Sequence, residues 1–464
     1  MQEKLYFYYT NDLHSYFDHW THVVSFLKEK RARRELNKES HWTFDIGDHL
    51  DRVHPIAEAY MGKANIELLN EADYDVVTLG NNEGITLAHE DLYHLYDHAD
   101  FNVVCANLTS LKDNPTWLYP FTYRESASGI RIGIIGLTAP FNDFYKLLDW
   151  NVGAPIQTLE RHIEKLKETT DIIILLSHLG INEDLEIARR FSDIDLIIGG
   201  HTHHLLRTGE QINNTLITAA GKHCAYMGEV ILTWDHELQR LVNREAYTTE
   251  ITHLAKDLPT EQRLIDLKNS AADLLSEPIV QLKEPIESKW FEQSIIMEQL
   301  ADTIKYWTNA DCAMLNAGLL LDQFPSGDVT YGDIHSICPH PINPCVVKLK
   351  GSELVEVIRA SLTKEFMELK LKGFGFRGEV IGRMIFSGLD VWTERHRDGQ
   401  EYVKHIQFDG KPLDTNISYT VALPDTFTFG RLLPEVAKSE TKQFFLPEFL
   451  RDFLVMTLKR EYKN

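Results

Sequence analysis

The stretch that decides the fold is DIIILLSHLGINEDLEIARRFSDIDLIIGGHTH, residues 171–203. Two apolar runs enclose a segment, residues 182–191, with the spacing of an amphipathic helix. Such an alternation of strand and helix is typical of an α/β fold. Each apolar run ends in a polar cluster: His178 follows the first run, and His201 and His203 follow the second. The fold and a candidate site are therefore indicated by the same positions.

The same alternation extends from residue 4 to about residue 235. The other helix-like segments are residues 18–36, 55–71 and 155–168. Several of the intervening runs are apolar on both faces, as buried strands are. The pattern predicts an α/β domain in which helices cover a mixed sheet.

The second half of the chain has a different character. Residues 252–277 form a charged amphipathic helix pattern with Pro259 near its start, and new strand and helix patterns begin near residue 290. A chain of 464 residues is also too long for one ordinary core. We therefore expect a first domain over residues 1–250, a helical linker over 251–289 and a second domain over 290–464.

The composition restricts the class of protein. Apolar residues make up 43% of the chain and charged residues 25%, which is typical of a globular protein. The formal net charge of −22 repels phosphate backbones, so we expect no nucleic-acid polymer as partner. One basic cluster, Lys28–Lys38, contains interspersed acids, which favours the solvated face of a helix over an anion-binding patch.

The cysteines and the N-terminal sequence bear on location. The five cysteines are odd in number and form no CxxC pair, which favours free thiols in a reducing compartment. The N-terminal residues enter a strand pattern at once, and no run of 18 apolar residues occurs. We expect a cytoplasmic protein without a membrane partner.

Polar side chains follow five apolar runs of the first domain, each at the point where the run ends. In α/β sheets the carboxyl ends of strands converge on one crevice, so these side chains are expected to meet. They are Asp12, His14, Asp48, Asn81, His178, His201 and His203.

The ligand types indicate a metal site. Carboxylate, imidazole and amide oxygen together suit Mn²⁺, Fe²⁺, Co²⁺ or Zn²⁺. Seven ligands are too many for one tetrahedral ion but suit two ions that share a carboxylate, and Asp48, preceded by Gly47, is the natural bridge. Taken singly, the D-x-H cluster and the lone SH are more often turns, with Asx hydrogen bonds for D-x-H, whereas GGHTHH favours metal by itself, and the conjunction of all five clusters decides for the metal interpretation.

The order D-x-H, GD, GN-x-E, SH, GHTH resembles the calcineurin-like metallophosphoesterases. The stretches NADCAMLNAGLL and GDVTYGDIHSICPHPINPCVVKLKGSELVEVI narrow the resemblance to the 5′-nucleotidase family. This resemblance implies a four-layer α-β-β-α sandwich followed by an α/β domain that binds the nucleoside. The partner it implies is a nucleotide or another small phosphorylated substrate.

The resemblance also implies a role for each candidate ligand. One divalent ion would be held by Asp12, His14, Asp48 and His203. The second would be held by Asp48, Asn81, His178 and His201. In the family, a hydroxide between the metals attacks phosphorus in line, so the expected activity is hydrolysis of a phosphate ester or anhydride.

The stretch VTLGNNEGI, residues 77–85, departs from the family motif GNHE. Asn82 occupies the position of the family's catalytic histidine, and Ile85 that of its supporting aspartate. General-acid catalysis is worth about 10²–10⁴ in rate, so bonds with good leaving groups are the favoured substrates. Asn82 can donate a hydrogen bond to a phosphoryl oxygen, and Glu83 is expected to order the loop. His49, next to Asp48, is a candidate phosphate contact or surrogate acid, with a surface histidine as the alternative.

The second domain also departs from the family. After the turn at Asn316, a candidate substrate contact, the family has an arginine, whereas this chain continues with three leucines. Arg377, Arg383 and Arg431 are possible replacements, and the spacing selects none of them. The candidate residues for stacking on a base, each with core packing as its alternative, are Phe374, Phe376, Phe427 and Phe429.

A second function remains open on the sequence alone. A chain that keeps metal ligands but lacks the acid could be a catalytically weak nucleotide-binding or sensor protein. The retention of all seven ligand positions favours the hydrolase.

Overall fold

The computed structural model describes residues 1–395, 401–430 and 432–463. The chain divides into two compact units, unit 1 over Met1–Ala271 and unit 2 over Ala272–Asn464. The helix Leu258–Leu274 crosses this division, within the expected linker 251–289. The bounds of the three segments expected from the sequence stay a prediction.

Unit 1 contains fifteen strands and nine helices over its described residues. The strands are β1 (Gln2–Thr10), β2 (His41–Asp45), β3 (Val76–Val77), β4 (Asn102–Val104), β5 (Leu108–Ser110), β6 (Leu118–Tyr119), β7 (Phe121–Glu125), β8 (Arg131–Thr138), β9 (Trp150–Val152), β10 (Ile172–His178), β11 (Leu196–Gly199), β12 (Glu210–Ile212), β13 (Thr215–Thr218), β14 (Tyr226–Asp235) and β15 (Arg240–Glu250). The helices are α1 (Trp20–Asn37), α2 (Pro55–Ala59), α3 (Lys63–Glu71), α4 (Asn81–Thr86), α5 (His89–Tyr93), α6 (Asn142–Tyr145), α7 (Pro155–Thr169), α8 (Ile181–Arg190) and α9 (Leu258–Leu274).

Two sheets face each other in unit 1. One has seven strands in the order β15-β14-β1-β2-β3-β4-β6, and the other has six in the order β12-β13-β11-β10-β8-β7. A single apolar core contains residues of both sheets, among them Phe7 of β1, Ile134 of β8 and Ile174 of β10. The sheets are therefore the two inner layers of a sandwich.

Helices cover both outer faces. Since successive side chains of a strand point to opposite faces, Ile173 and Leu175 of β10 lie in a different core, with Leu159 of α7 and Ile187 of α8. On the outer face of the other sheet, the Tyr8 ring of β1 meets the Phe26 ring of α1 edge-on at 6.2 Å between centroids. The predicted α/β class and the four-layer α-β-β-α arrangement are confirmed.

The strand order positions the candidate ligands. β1, β2 and β3 are adjacent and parallel in one sheet, and β10 and β11 are adjacent and parallel in the other. Their carboxyl ends therefore lie together at one edge of each sheet, and each candidate ligand lies at or just after one of these ends.

Unit 2 contains several sheets, of which the central one has five strands. Its strands are β16 (Pro278–Leu282), β17 (Cys312–Asn316), β18 (Gly327–Thr330), β19 (Pro344–Lys350), β20 (Met384–Ser387), β21 (Asp390–Arg395), β22 (Glu401–Phe408), β23 (Lys411–Pro412), β24 (Ser418–Pro424) and β25 (Lys442–Phe444). Its helices are α10 (Ile295–Thr308), α11 (Tyr331–Ile337), α12 (Gly351–Ser361), α13 (Lys364–Met367), α14 (Pro434–Lys438) and α15 (Leu450–Tyr462). The central sheet has the order β20-β17-β24-β19-β25.

Cores lie on both faces of this central sheet. Leu315 of β17 packs with Leu300 of α10 and Leu454 of α15. On the other face, Met314 packs with Leu354 of α12. Burial on both faces explains why the β17 sequence reads as a continuous apolar run.

One local expectation was wrong, and a second holds only in part. The helix-like segment 55–71 is two helices, α2 and α3, because Gly62 between them has a left-handed φ of +81°. The basic cluster on α1 is not wholly solvated: Arg34 is buried, and its guanidinium donates to Glu229 at 3.1 Å and to Glu39 at 2.9 Å. Acids of this chain therefore pair with Arg34.

The prediction of free thiols is confirmed, since all five cysteines are free and buried, and the reducing compartment stays a prediction. In the described part of the chain, no helix has both the length and the apolar character needed to span a bilayer.

Candidate functional site

Seven candidate ligands lie at the strand ends of unit 1, and we call them together the metal cluster: Asp12, His14, Asp48, Asn81, His178, His201 and His203. Two subsets have ligand atoms that all lie within 4.8 Å of one another, namely Asp12 with His14 and His203, and Asp12 with Asp48 and His178. The structure therefore brings together residues up to 191 positions apart in the sequence.

Two of the three distances in the first subset match those around one ion, and the third, from His14 Nε2 to Asp12 Oδ1, is longer at 3.8 Å. His14 Nε2 lies 3.2 Å from His203 Nε2, and His203 Nε2 lies 3.4 Å from Asp12 Oδ1. Ligand atoms about 2.0–2.1 Å from a tetrahedral ion are separated by about 3.3 Å.

Asp48 faces both subsets. Its Oδ1 lies 3.4 Å from His178 Nε2, and its Oδ2 lies 3.8 Å from His14 Nε2. A carboxylate whose two oxygens face different imidazoles has the geometry of a bridging ligand. Asp12 Oδ1 also lies 4.0 Å from His178 Nε2, a proximity that the motif order did not indicate.

Two buried atoms of the cluster have no hydrogen-bond partner among the described residues: His178 Nε2 and Asn81 Oδ1. His178 Nδ1 lies 2.7 Å from the Ile46 carbonyl, which only accepts, so Nδ1 carries a proton and Nε2 is the nitrogen that faces the cluster. Buried polar atoms are normally paired. Two buried side-chain atoms without a hydrogen-bond partner, next to carboxylates and imidazoles, fit a site for a divalent cation.

His201 completes the cluster. Its ring centroid lies 5.3 Å from that of His178, and its backbone N–H donates to the Asp12 carboxylate at 3.1 Å. The order of residues in GGHTH therefore brings one imidazole next to His178 and the other, His203, next to His14.

Carboxylates and imidazoles perturb one another strongly here. Although burial opposes the shift, His178 holds the pKa of Asp48 well below its usual range. Asp48 in turn raises the pKa of His178 to about 10, again against burial. A divalent cation must displace the proton from Nε2, so we expect metal affinity to fall as pH falls.

Five ligands of the cluster have left-handed backbone conformations. Their φ angles are 52° for Asp12, 52° for His14, 49° for Asp48, 69° for His201 and 58° for His203. This region is uncommon for residues other than glycine, and such strain concentrates at functional sites. The surrounding structure must therefore hold these residues in place.

Two glycines allow the loops after β2 and β3 to meet. A Cβ at Gly80 would lie 2.0 Å from Asp48 Oδ1, and one at Gly47 would lie 2.1 Å from the Gly80 nitrogen. The Glu83 carboxylate accepts backbone N–H groups of Asp48, Leu50 and Gly80 at 2.9–3.0 Å. Glu83 therefore orders this loop, as expected.

Asn82 lies in the first turn of α4, inside the cluster. Its backbone N–H donates to Asp48 Oδ1 at 2.7 Å, and its Nδ2 lies 3.1 Å from the Leu50 carbonyl and 2.9 Å from His14 Nδ1. The amide is thus engaged with the protein as well as close to the metal ligands. Asp51 Oδ2 lies 3.6 Å from the same His14 nitrogen.

His49 points away from this network. Its buried ring meets the Trp20 indole edge-on at 5.0 Å, and its Nδ1 lies 3.1 Å from Asn65 Nδ2. Burial lowers the pKa of His49 to about 3. The alternative of a surface histidine is wrong, and the role of phosphate contact or surrogate acid stays a prediction that this packing does not support.

Three residues were missed in the sequence analysis: Asn11 and His223, which lie beside the cluster, and Tyr16, which contacts His223. Asn11 donates to Asp12 Oδ2 at 2.7 Å and so orients a ligand. The His223 ring lies 6.0 Å from the His14 ring and stacks on Tyr16 at 4.8 Å between centroids. His223 follows the strand β13 and the run AAG, so the strand-end criterion that found the ligands could have found it too.

In unit 2, the four phenylalanine candidates divide into two pairs. Phe376 and Phe427 are buried in cores, so the core alternative holds for them. Phe374 and Phe429 have nearly parallel rings, with an angle of 8° between the ring planes and 6.0 Å between the centroids. Phe374 is 49% exposed to solvent. We call this second pair the aromatic slot.

The remaining candidates of unit 2 have partners within the protein. Asn316 is buried, and its Nδ2 donates to the Ile381 carbonyl at 2.9 Å. Arg383 forms a two-pronged ion pair with Glu401. The Arg377 guanidinium donates to the Phe376 carbonyl at 3.2 Å, and Arg431 lies outside the described residues.

Comparison with known proteins defines the class. The model for calcineurin-like phosphoesterases matches residues 5–205, and the model for the 5′-nucleotidase C-terminal domain matches residues 278–431. YunD, an uncharacterised metallophosphoesterase of Bacillus subtilis (strain 168), is 40% identical over 463 residues, which are 99% of this chain and 100% of YunD. The chain belongs to the calcineurin-like phosphoesterases with a 5′-nucleotidase C-terminal domain, and is with them a phosphoric ester hydrolase.

More distant relatives agree with this assignment. The trifunctional nucleotide phosphoesterase protein YfkN of the same organism is 24% identical over 407 residues, 76% of this chain but 27% of YfkN. The crystal structure of a putative 5′-nucleotidase from Staphylococcus aureus has a TM-score of 0.69 at 19% identity and covers 99% of this chain and 97% of its own. Haemophilus influenzae NAD nucleotidase has a TM-score of 0.69 at 17% identity, with the same coverages. At these identities the two structures show a shared fold.

Proposed function

We propose that this protein hydrolyses a phosphate ester or anhydride of a nucleotide or nucleotide-like substrate with two divalent ions held by the metal cluster. The observation that carries this proposal is the pair of buried, unpartnered ligand atoms, His178 Nε2 and Asn81 Oδ1. Oxygen and imidazole donors without thiolate suit Mn²⁺, Zn²⁺, Fe²⁺ or Co²⁺.

The residues of the cluster act mainly by position. When bound, such ions activate water and neutralise charge on phosphoryl oxygens. The hydrogen bond from His178 Nδ1 to the Ile46 carbonyl fixes the ring that presents Nε2. Asp48 orients one oxygen toward each subset, and the N–H of Asn82 holds that carboxylate in place.

Asn82 sets the choice of bond that is broken. An amide donates hydrogen bonds but transfers no proton at neutral pH, so it can neither protonate a departing alkoxide nor replace an imidazole in that role. A leaving group that is stable as an anion needs no such proton. We therefore propose phosphoanhydrides and activated diesters as better substrates than nucleoside monophosphates.

The aromatic slot is the proposed site for the base. A planar base between two parallel rings needs about 7 Å, twice a carbon contact of about 3.5 Å. The ring centroids are 6.0 Å apart, so the slot must open before a base can enter between the two rings. The exposure of both rings to solvent favours this role over packing.

The sensor alternative is not favoured. The family is one of hydrolases, and 40% identity over the whole chain connects this protein with a metallophosphoesterase. A nucleotide-binding module also has little use for seven converging metal ligands.

A substrate panel tests the proposal. The purified protein is loaded in turn with Mn²⁺, Zn²⁺, Fe²⁺ and Co²⁺, and ions per chain are counted. Hydrolysis is then measured with AMP, a nucleoside diphosphate sugar and an aryl phosphodiester. We expect two ions per chain and higher kcat/KM on the anhydride and the aryl diester than on AMP.

The outcomes separate the parts of the proposal. Equal kcat/KM on AMP and the aryl diester would refute the leaving-group argument but not the hydrolase. Tight nucleotide binding without turnover under every metal would favour the sensor.

The cytoplasmic location expected from the sequence stays a prediction. The five free, buried cysteines are consistent with a reducing compartment.

A further inference from the structure

The Phe374 ring of the aromatic slot stands on a strained turn. In the aromatic turn, which we define as residues 373–376, Phe374 has a φ of +51° and Gly375 a φ of +78°. The N–H of Phe376 closes the turn on the Gly373 carbonyl at 3.0 Å. Two left-handed central residues are typical of a type I′ turn, in which a bulky residue at the first position is disfavoured. Contacts outside the turn must therefore hold it.

The imidazole of His340 provides such contacts through both nitrogens. Nδ1 accepts the backbone N–H of Arg377 at 2.9 Å, directly after the aromatic turn. Nε2 lies 2.9 Å from the Leu319 carbonyl, at the end of the turn that follows Asn316. Since an amide only donates and a carbonyl only accepts, one neutral tautomer, protonated at Nε2, satisfies both.

The ring face of His340 makes a third contact. It stacks on the Phe376 ring with an angle of 10° and 5.2 Å between centroids. The His340 backbone is fixed in turn, because the fully buried guanidinium of Arg451 donates to the carbonyls of Pro339 and His340 at 3.2 Å. Thus His340 connects a rigid core segment to the aromatic turn.

Core packing alone does not account for a histidine here. His340 is fully buried, and burial lowers the pKa of its imidazole to about 3, so the ring is neutral at physiological pH. Phenylalanine would keep the stack on Phe376 and avoid burying two polar nitrogens. What only histidine adds is the pair of directional bonds to Arg377 and Leu319.

We propose that His340 is a positioning residue for the nucleobase: it fixes the aromatic turn so that Phe374 stands parallel to Phe429, and thereby sets affinity for a purine or pyrimidine ring that it does not itself contact. This inference rests on the proposed role of the aromatic slot. Fixing a binding group before the ligand arrives improves affinity because less ordering is needed on binding.

Four variants of the full chain test this role, with adenosine as the probe and a chelator present, so that the metal cluster does not enter the measurement. His340→Phe keeps the stack and removes both hydrogen bonds. His340→Asn offers an amide oxygen to the Arg377 N–H. Phe374→Ala removes one ring of the slot. Val357→Ala, in the core on the other face of the sheet, is a stability control.

The dissociation constant is measured by titration calorimetry and Tm by thermal melting. We expect His340→Phe to weaken adenosine binding roughly tenfold and His340→Asn to restore part of the loss. Val357→Ala should lower Tm without changing the dissociation constant. Adding His340→Phe to Phe374→Ala should weaken binding no further, because the turn then carries no ring to position.

Other results separate two failures. If Phe374→Ala leaves adenosine binding unchanged, the proposed base site is wrong and the role of His340 is lost with it. If Phe374→Ala weakens binding but His340→Phe does not, the slot remains and the positioning role is refuted. The positioning role is also refuted if Val357→Ala weakens adenosine binding as much as His340→Phe does at a comparable fall in Tm. Should His340→Phe not fold, additive effects of His340→Asn and Phe374→Ala would also refute it.

Discussion

The metal cluster of unit 1 and the aromatic slot of unit 2 are specified in different ways. The cluster is made of buried and part-buried polar atoms 3.2–4.0 Å apart, with five of its seven residues on left-handed backbone, and its loops meet through glycines that leave no space for a side chain. The slot is two partly exposed phenyl rings, one of them on a single strained turn.

The difference follows from the interactions involved. Carboxylates and imidazoles must converge with fixed geometry, because a buried charge without its partner is strongly unfavourable. Stacking on a ring depends on area and tolerates displacement. We therefore expect substitutions in the cluster to have all-or-none effects and those in the slot to have graded ones.

The largest effect is expected for Asp48→Asn. The variant loses a charge and one of the oxygens that face the two imidazoles, so fewer than two ions per chain should remain. Since metal ions supply several kcal/mol of transition-state stabilisation, kcat should fall about a thousandfold or more. Metal analysis and hydrolysis of an aryl diester check both.

The matched control is Asp184→Asn. Asp184 is a buried acid of unit 1, and its carboxyl group accepts a hydrogen bond from the Ser177 hydroxyl. Burial raises the pKa of Asp184 to about 8, so it is already neutral at pH 7 and should keep both ions. Full metal content and rate in Asp48→Asn would contradict the bridging role.

Asn82→His should act in the opposite direction. The family's acid returns without its supporting carboxylate, since residue 85 is isoleucine, so we expect a gain of about 10² in kcat on AMP, at the lower end of general-acid effects. The aryl diester rate should change little, and Asn82→Ala should show no gain on either substrate. An unchanged AMP rate would mean that another group donates the proton or that its transfer does not limit the rate.

Asp425, in the turn that leads to Phe429, should make stability depend on pH with the opposite sign to Asp48. Burial raises the pKa of Asp425 to about 8, so its contribution to stability is full below about pH 4 and is lost as pH rises through 8. The pKa of Asp48 is lowered, so its contribution is present above about pH 4 and lost as pH falls. Asp425→Asn should therefore raise the free energy of unfolding by a few kcal/mol more at pH 8 than at pH 5. Urea unfolding at both pH values measures this, and equal effects at the two would contradict it.

The smallest effect is expected in the slot. Phe374→Ala should raise KM for a nucleotide substrate about tenfold and leave kcat nearly unchanged, because stacking on one ring is worth about 1–3 kcal/mol. Trp392→Ala, at an aromatic residue of unit 2 with similar exposure, should have no effect. A fall in kcat with constant KM would show that Phe374 does not act through binding.

Much of unit 1 could be predicted because its signals are local. Continuous apolar runs with polar residues at their ends are visible in the chain, and parallel strand topology brings those ends together. The cluster members were therefore identified before their distances were known. His223 was missed although it also follows a strand, because a single histidine there belongs to no motif.

The slot was less predictable. Four phenylalanines had equal standing in the sequence, and only folding separates Phe374 and Phe429 from the buried Phe376 and Phe427. The sequence of GFGFRG shows aromatic residues and glycines, but not which ring faces solvent.

The sequence by itself determined the α/β class and the kinds of candidate metal ligand, and it has an asparagine, Asn82, at the position where the family resemblance implies an acid, because these depend on residue type and order. The tertiary structure decided that Asn82 bonds Leu50 and approaches His14, that His49 packs on Trp20, and that His340 supports the aromatic turn. These contacts join residues far apart in the chain, and only the packing of the folded units determines which of the possible partners each polar group meets.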